Sequence, residues 1–318
     1  MNCFYCGKPL RTDDGSGWHK ACVKQFFGTG QLPEIRIDQK TLDFISHENV
    51  AKGFTVPGVQ KKLSVDLYPE DGILAFAGGD CPYGYILKPP HDTLQALPEA
   101  EHLAMRMAAD VGISTVPNAL IRDGKTLAYI TKRIDRVFTG TTVSKLAMED
   151  FCQLDLRLSR DKYRGSYERC AKLIERYSSR KGFDLTELFM RLVFSFAVGN
   201  SDMHLKNFSL IETREASGDY VLSPAYDLLP VNIILPEDKE QFALPMNGKK
   251  TNLRRNDFLA FAKTCGIPEN AASNMIRRIV SAREKFIAAC EESHLPLEMR
   301  EALIRLLRER IDTLGGTL

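Results

Sequence analysis

Leu188 to Val198 is apolar on nearly every face, and a run of that kind folds as a helix buried all round. Directly after it come Gly199-Asn200-Ser201-Asp202-Met203-His204-Leu205-Lys206-Asn207-Phe208, and later Ser223-Pro224-Ala225-Tyr226-Asp227. Asp202 and Asn207 are five residues apart, and Asp227 lies 25 residues beyond Asp202. A carboxylate, a carboxamide and a second carboxylate delivered from the end of a buried helix make a phosphoryl-transfer constellation. Asp202 would orient or deprotonate an acceptor hydroxyl, while Asn207 and Asp227 would take Mg²⁺. His204 and Lys206, between them, would steady the loop or touch phosphate. The loop alone also reads as ordinary capping after a helix, so other segments have to decide.

Lys88 is one of them. It ends the apolar strand Tyr85-Ile86-Leu87-Lys88, where a lone lysine needs a reason. A phosphate-binding Lys held by Glu101, one turn into the helix that Pro98 opens, supplies one. A solvent-facing Lys at a strand end is the alternative. The stretch Pro57-Gly58-Val59-Gln60-Lys61-Lys62 has a single glycine, so it is neither a three-glycine loop nor a Walker A loop. Backbone amides with Lys61 or Lys62 are still able to cradle phosphates.

The first 30 residues form a different module. Cys3-x2-Cys6, twelve residues, then His19-x2-Cys22 is the spacing of a structural Zn²⁺ site. Four protein ligands leave no open position for catalysis, and so short a segment has no core of its own without the metal. Trp18 is expected to pack that module. The remaining cysteines, Cys81, Cys152, Cys170, Cys265 and Cys290, are scattered singly and read as buried thiols rather than a disulfide framework.

Between these sites the patterning predicts an α+β chain. A short helix is expected over 38–50. Alternation in Leu63–Tyr68, the Asp71-Gly72 turn, a strand ending at Lys88, and strands over 117–122 and 126–131 around Asp123-Gly124 describe a β-rich lobe. Its one helix runs from Pro98 toward Gly112. Asp184-Leu185-Thr186-Glu187 reads as a capping box opening the apolar helix. Strands follow near 207–212 and 219–222, and three amphipathic helices fill 254 to the end. The domains expected are a zinc module over 1–30, a β-rich lobe over 31–135 and a mainly helical lobe over 136–318. That length suits a two-lobed enzyme, and no run of about 18 apolar residues suggests a membrane span. The amino terminus lacks the basic and apolar regions of a signal peptide, so a cytoplasmic protein is expected. A net charge of +2 neither demands nor excludes a nucleic-acid partner. Lys249, Lys250, Arg254 and Arg255, and separately Arg157, Arg160, Lys162 and Arg164, form basic clusters. They read best as solvated faces, though the second could belong to a substrate-facing loop.

Gly58–Leu63, Ile86-Leu87-Lys88, Glu101-His102-Leu103, Lys132-Arg133-Ile134-Asp135-Arg136, Glu149–Gln153, Asn200–Ser209 and Tyr226-Asp227 together resemble the HipA family of bacterial toxin kinases, over about residues 50–310. The resemblance implies a two-lobed, protein-kinase-like Ser/Thr kinase using ATP and Mg²⁺. It puts nucleotide contacts on Pro57 through Lys62, Lys88 with Glu101, Lys132, Arg133, Ile134, His204, Lys206, Asn207, Tyr226 and Asp227. Members of the family are growth-arresting toxins of toxin–antitoxin systems, with aminoacyl-tRNA synthetases among their targets. A helix-turn-helix antitoxin holds them, often on DNA, which they meet only through that partner. Autophosphorylation just before the glycine loop switches them off. Thr55 aligns with such an acceptor, and Pro57 replaces a second one. The chain resembles the short, HipT-like members, in which the missing N-terminal subdomain can be a separate small protein. Two rival readings use the same residues: a non-catalytic regulatory pseudokinase subunit acting with the antitoxin, and a small-molecule or lipid kinase of related fold.

Overall fold

A computed structural model of the protein describes residues 1–10, 15–36, 62–76, 84–124, 126–139 and 142–316. The expected helix over 38–50, the segment from Pro57 to Lys61, Thr55 and Cys81 lie outside the described residues. The chain divides into two compact units: Met1–His102 with Val116–Val143, and Leu103–Thr115 with Ser144–Leu318.

The first unit begins with the Cys/His module. Cys3-Phe4-Tyr5-Cys6 closes on itself through Gly7 N–H to Cys3 O (2.8 Å) and Cys3 N–H to Lys8 O (2.9 Å). Gly17 sits at φ 74°, and a Cβ there would lie 2.3 Å from the Phe4 ring, so only glycine passes this point. Helix α1 (Lys20–Phe27) follows His19 and ends at Gly28. The single tryptophan, Trp18, is buried as expected and stacks on Tyr5 with centroids 5.8 Å apart.

Six strands form one sheet: β1 (Glu34–Arg36), β2 (Leu63–Tyr68), β3 (Ile73–Phe76), β4 (Tyr85–Lys88), β5 (Asn118–Asp123) and β6 (Thr126–Lys132). Their order is β1-β3-β2-β4-β6-β5, antiparallel except for β1 beside β3. The turns at Asp71-Gly72 and Asp123-Gly124 join paired neighbours, as the sequence predicts. Leu63 and Val65 point into the core, which holds Leu74, Leu87, Ala119, Leu120, Ile121, Ala128 and Ile130 together with Phe4, Trp18, Val23, Phe26 and Phe27. The Cys/His module therefore shares a core with the sheet. Leu120 N–H donates to Phe4 O at 2.9 Å, and the Phe26 and Phe27 rings pack on Tyr85 of β4 at 6.0 and 5.7 Å.

Helix α2 (Leu97–Asp110) starts one residue before Pro98 and carries the division between the units after His102. In the second unit β7 (Met148–Asp150), β8 (Ser209–Glu212) and β9 (Tyr220–Leu222) form a three-stranded antiparallel sheet in the order β9-β8-β7. Helices α3 (Phe151–Leu154), α4 (Tyr167–Tyr177) and α5 (Lys181–Val198) surround it.

Two expectations need correction here. Asp184 does not cap α5; the helix starts three residues earlier with Arg180 at its N-cap and no capping box. Asp184 is instead fully buried, accepting from Ser178 Oγ (2.6 Å), Arg180 Nε (2.9 Å) and the Leu222 N–H (2.6 Å), which ties α5 to β9. The carboxyl-terminal region makes four helices rather than three: α6 (Arg255–Thr264), α7 (Glu269–Ser281), α8 (Arg283–Glu291) and α9 (Leu297–Gly315). The extra break is at Ala282, whose N–H turns back to Ile279 O. No Gly or Pro marks it, so periodicity reads straight through.

Candidate functional site

Helix α5 delivers the loop. Gly199 takes φ 71° at its end, and a Cβ there would come within 3.0 Å of Leu306 and 3.2 Å of Asn232 Oδ1. Asn200, Ser201, Met203, His204, Leu205 and Asn207 are all buried, whereas the Asp202 side chain is 48% exposed. The loop thus anchors itself on every neighbour and presents one carboxylate. Its anchors are specific. Asn200 Oδ1 accepts from Asp202 N–H (3.3 Å), and Ser201 Oγ donates to Asp238 (2.6 Å). Met203 O accepts from the buried Tyr167 hydroxyl (3.0 Å), and Leu205 N–H donates to Lys162 O (3.2 Å).

Asp202 Oδ1 accepts from the Tyr163 hydroxyl at 2.8 Å, and its Oδ2 lies 4.0 Å from His204 Nε2. Burial pushes the Asp202 carboxyl above the usual aspartate range, helped by Asp227 and Asp238; the Tyr163 bond and Lys162 pull it back down. Asn207 Oδ1 accepts from His204 N–H (3.1 Å), which closes a one-turn 3₁₀ segment over Leu205–Asn207. Lys206 pairs with Asp150 at 2.5 Å, and Asp150 also caps α3 by accepting from Gln153 N–H.

The second carboxylate arrives on a braced irregular segment five residues past the end of β9. The Tyr226 hydroxyl lies 2.5 Å from Ser209 Oγ and donates to Lys206 O at 3.1 Å, so Tyr226 and the loop hold each other. Burial drives the Tyr226 phenol far up, which keeps it a neutral donor. Asp227 takes φ 55°, a left-handed conformation that costs about 1 kcal/mol or more for a residue with a Cβ. Behind this turn, Arg191 of α5 is 1% exposed. It donates to Ser223 O (2.6 Å) and Glu187 Oε1 (3.3 Å), and Glu187 in turn accepts from Ser114 N–H (3.1 Å).

In the first unit, Lys88 and Glu101 form an ion pair 2.5 Å apart, with side chains 3% and 0% exposed. Lys88 also stands 5.1 Å over the Tyr129 ring, its register partner across β4 and β6. The alternative of a solvent-facing lysine is thereby excluded. Asp66, buried on β2, receives Gly84 N–H at 2.5 Å and sets the entry to β4. At the connector, Lys132 N–H bonds Pro117 O and Arg133 N–H bonds Gly84 O, both at 3.0 Å. The Arg133 guanidinium grips Asp135 through two bonds of 3.0 and 2.8 Å, Lys132 Nζ lies 5.5 Å from the Phe26 ring, and Ile134 is half-buried. Lys62 is exposed at the head of β2.

The ligand atoms of Cys3, Cys6, His19 and Cys22 all lie within 4.8 Å of one another. His19 Nδ1 is 3.5 Å from Cys6 Sγ and 3.7 Å from Cys22 Sγ. A tetrahedral zinc with Zn–S near 2.3 Å and Zn–N near 2.0 Å separates such atoms by about 3.5 to 3.8 Å, so the cluster fits one ion. Nε2 of the same ring is 3.1 Å from Pro9 O, a hydrogen bond that fixes the ring and leaves Nδ1 facing the three sulfurs.

Sequence reading assigns no role to three residues of this site: Asp150, which lies in the Glu149–Gln153 segment, Tyr163 and Arg191. Arg191 alone had a signal, as the one charge inside the apolar run Leu188–Val198, and a buried charge calls for a partner. Tyr163 and Asp150 meet the loop across 39 and 56 residues of chain, and nothing local announces that.

The chain is similar to proteins of one kind. The family described as "HipA-like C-terminal domain" matches residues 54–286. A "putative kinase" of Haemophilus influenzae is 25% identical over 294 residues, covering 83% of this chain and 82% of that protein. The "serine/threonine-protein kinase toxin HipA" of Shewanella oneidensis is 26% identical, covering 78% of this chain and 60% of its own length. The solved HipA from the Shewanella oneidensis HipA, HipB and operator DNA complex superposes with TM-score 0.71 at 21% identity, over 82% of this chain and 65% of that one. At that identity the likeness is one of fold. The family match covers more than half of the chain, and the chain therefore belongs to the HipA-like C-terminal domain family, with the α+β, two-lobed kinase-like fold of HipA.

Proposed function

We propose that this protein is an ATP- and Mg²⁺-dependent serine/threonine protein kinase and the toxin of a toxin–antitoxin pair. One observation carries the reading: a loop in which Asn200, Ser201, His204 and Asn207 are buried holds a single carboxylate, Asp202, toward solvent, already accepting a hydrogen bond from a hydroxyl at 2.8 Å. In this reading Asp202 orients the acceptor hydroxyl and takes its proton. Asn207 and Asp227 offer the hard oxygen donors that Mg²⁺ requires and would hold it; bound there, the ion neutralises phosphate charge. Lys88, fixed by Glu101, binds phosphate. The loop from Pro57 to Lys62, the connector Lys132-Arg133-Ile134, His204, Lys206 and Tyr226 complete the nucleotide contacts, and Thr55 is the autophosphorylation acceptor. Cys3, Cys6, His19 and Cys22 hold a structural Zn²⁺ that stiffens the sheet carrying Lys88. In domain terms the chain is a zinc module over 1–30, a nucleotide lobe over 31–135 and a catalytic lobe over 136–318.

The HipA, HipB and operator DNA complex of the Shewanella oneidensis relative supports the partner. A helix-turn-helix antitoxin is that partner, DNA is met only through it, and a separate small N-subdomain-like protein is a second partner. The reaction takes place in the cytoplasm, with an aminoacyl-tRNA synthetase the first protein acceptor to test. Among the described residues no helix is long and apolar enough to cross a membrane.

The test is transfer of labelled γ-phosphate from Mg-ATP by the wild type and by Asp202→Asn, alone and in a cell lysate. Label on protein with the wild type only supports the kinase. Equal labelling by both removes Asp202 from the reaction. ATP binding with no transfer by the wild type turns the assignment to a regulatory pseudokinase.

A further inference from the structure

We infer that Tyr163 occupies on Asp202 the place of the acceptor hydroxyl, so that the loop stays idle until an acceptor displaces the phenol. The inference rests on the phosphotransfer reading above.

Proton removal from a Ser or Thr acceptor requires its hydroxyl to donate to the Asp202 carboxylate. In this structure Tyr163 makes that bond, from its Oη to Oδ1 at 2.8 Å. The other oxygen, Oδ2, faces His204 Nε2 at 4.0 Å, and the backbone on either side of Asp202 is bonded within the loop. The charged groups that act on Asp202 besides Tyr163 are Lys162, Asp227 and Asp238. A carboxylate oxygen accepts along two directions; the phenol holds one of them at Oδ1, and an acceptor approaching along that direction has to displace it.

The ring is placed to leave. Its side chain is 47% exposed, whereas Tyr167, four residues on, is fully buried with its hydroxyl on Met203 O. Among the described residues the Tyr163 ring meets the His204 ring edge-on at 5.1 Å and Lys162 Nζ at 4.9 Å. The tie between its segment and the catalytic loop is made by backbone, Leu205 N–H to Lys162 O at 3.2 Å. The phenol can swing out without releasing the loop. Sequence proximity had no part in this contact, because 39 residues separate the partners.

A residue that blocks Asp202 and one that supports it respond oppositely to loss of the hydroxyl. Tyr163→Phe keeps the ring and its His204 contact and removes the competing donor. The assay is phosphate release from Mg-ATP with water as the only acceptor, run on the full chain as wild type, Tyr163→Phe, Asp202→Asn and the double variant, with thermal melts to establish folding. The expected result is a rise in release of about three- to tenfold in Tyr163→Phe, the size expected for removing one hydrogen bond to a charged, half-exposed group. The double variant should fall to the level of Asp202→Asn, which shows that the gain passes through Asp202. Release that depends on Asp202 but is unchanged or slower in Tyr163→Phe overturns the gate and leaves the kinase reading standing. Release equal in the wild type and Asp202→Asn removes the kinase reading, and the gate with it.

Discussion

The Lys88–Glu101 pair provides a prediction in which stability and activity separate. Its atoms are 2.5 Å apart, and the side chains are 3% and 0% exposed. Lys88→Met leaves the Glu101 carboxylate buried without its cation, and Glu101→Met leaves the ammonium in the same position. Breaking a buried pair from one side costs about 3–5 kcal/mol. For a unit of this size, each kcal/mol moves the melting temperature by about 2–4 °C, so either single variant should melt roughly 10 °C low. Lys88→Met/Glu101→Met together removes both charges and fills the same space with apolar atoms. Such replacements are commonly neutral or stabilising, so the double variant should return to within about 1 kcal/mol of the wild type. None of the three should transfer phosphate, because the ammonium is gone or misplaced. The assay is thermal melting followed by circular dichroism, with phosphotransfer measured on the same preparations. A single variant that melts with the wild type would show that the pair is solvated. A double variant as unstable as the singles would locate the loss in packing around Tyr129 rather than in charge.

Three further outcomes are expected. The purified protein should carry one zinc per chain, and chelation should redden the emission of the single, buried Trp18; metal-free protein with unshifted emission would remove the zinc site. Arg191→Met strands Glu187 and Ser223 O in the core, should cost about 3–5 kcal/mol in denaturant melts, and should raise the Mg²⁺ needed for transfer by loosening Asp227; an unchanged Mg²⁺ titration would separate Arg191 from the metal site. Transfer needs Asp202 ionised, and burial raises its pKa, so activity should fall with falling pH before the ordinary aspartate range near pH 4 is reached. Tyr163→Phe removes a bond that favours the carboxylate and should move that limb further up; a profile flat to about pH 4 in both proteins would refute the assignment.

Much of this chain is written locally. Alternation in Leu63–Tyr68, the Asp-Gly turns and the apolar run before Gly199 act within a hairpin or a few helical turns, so they can be read residue by residue. The Cys3, Cys6, His19 and Cys22 cluster is legible for the same reason, since ligand spacing along the chain is itself the signal. The boundary at Ala282 and the role of Asp184 were not legible, because a turn without Gly or Pro and an acid bonded to a distant strand leave no local trace.

Residue order alone puts the reactive groups in reach: Lys88 at a strand end, Asp202 and Asn207 on one loop, Asp227 beyond it. Folding adds what order does not contain: Lys88 is buried against Glu101, Arg191 braces the segment before Asp227, Tyr163 bonds Asp202, and the Cys/His module packs on the strand leading to Lys88. Each of those contacts joins residues well apart in the chain, and all but the half-exposed Tyr163–Asp202 bond are formed by burial, which depends on the whole core at once: a polar group removed from water must find its partner wherever the fold has carried one.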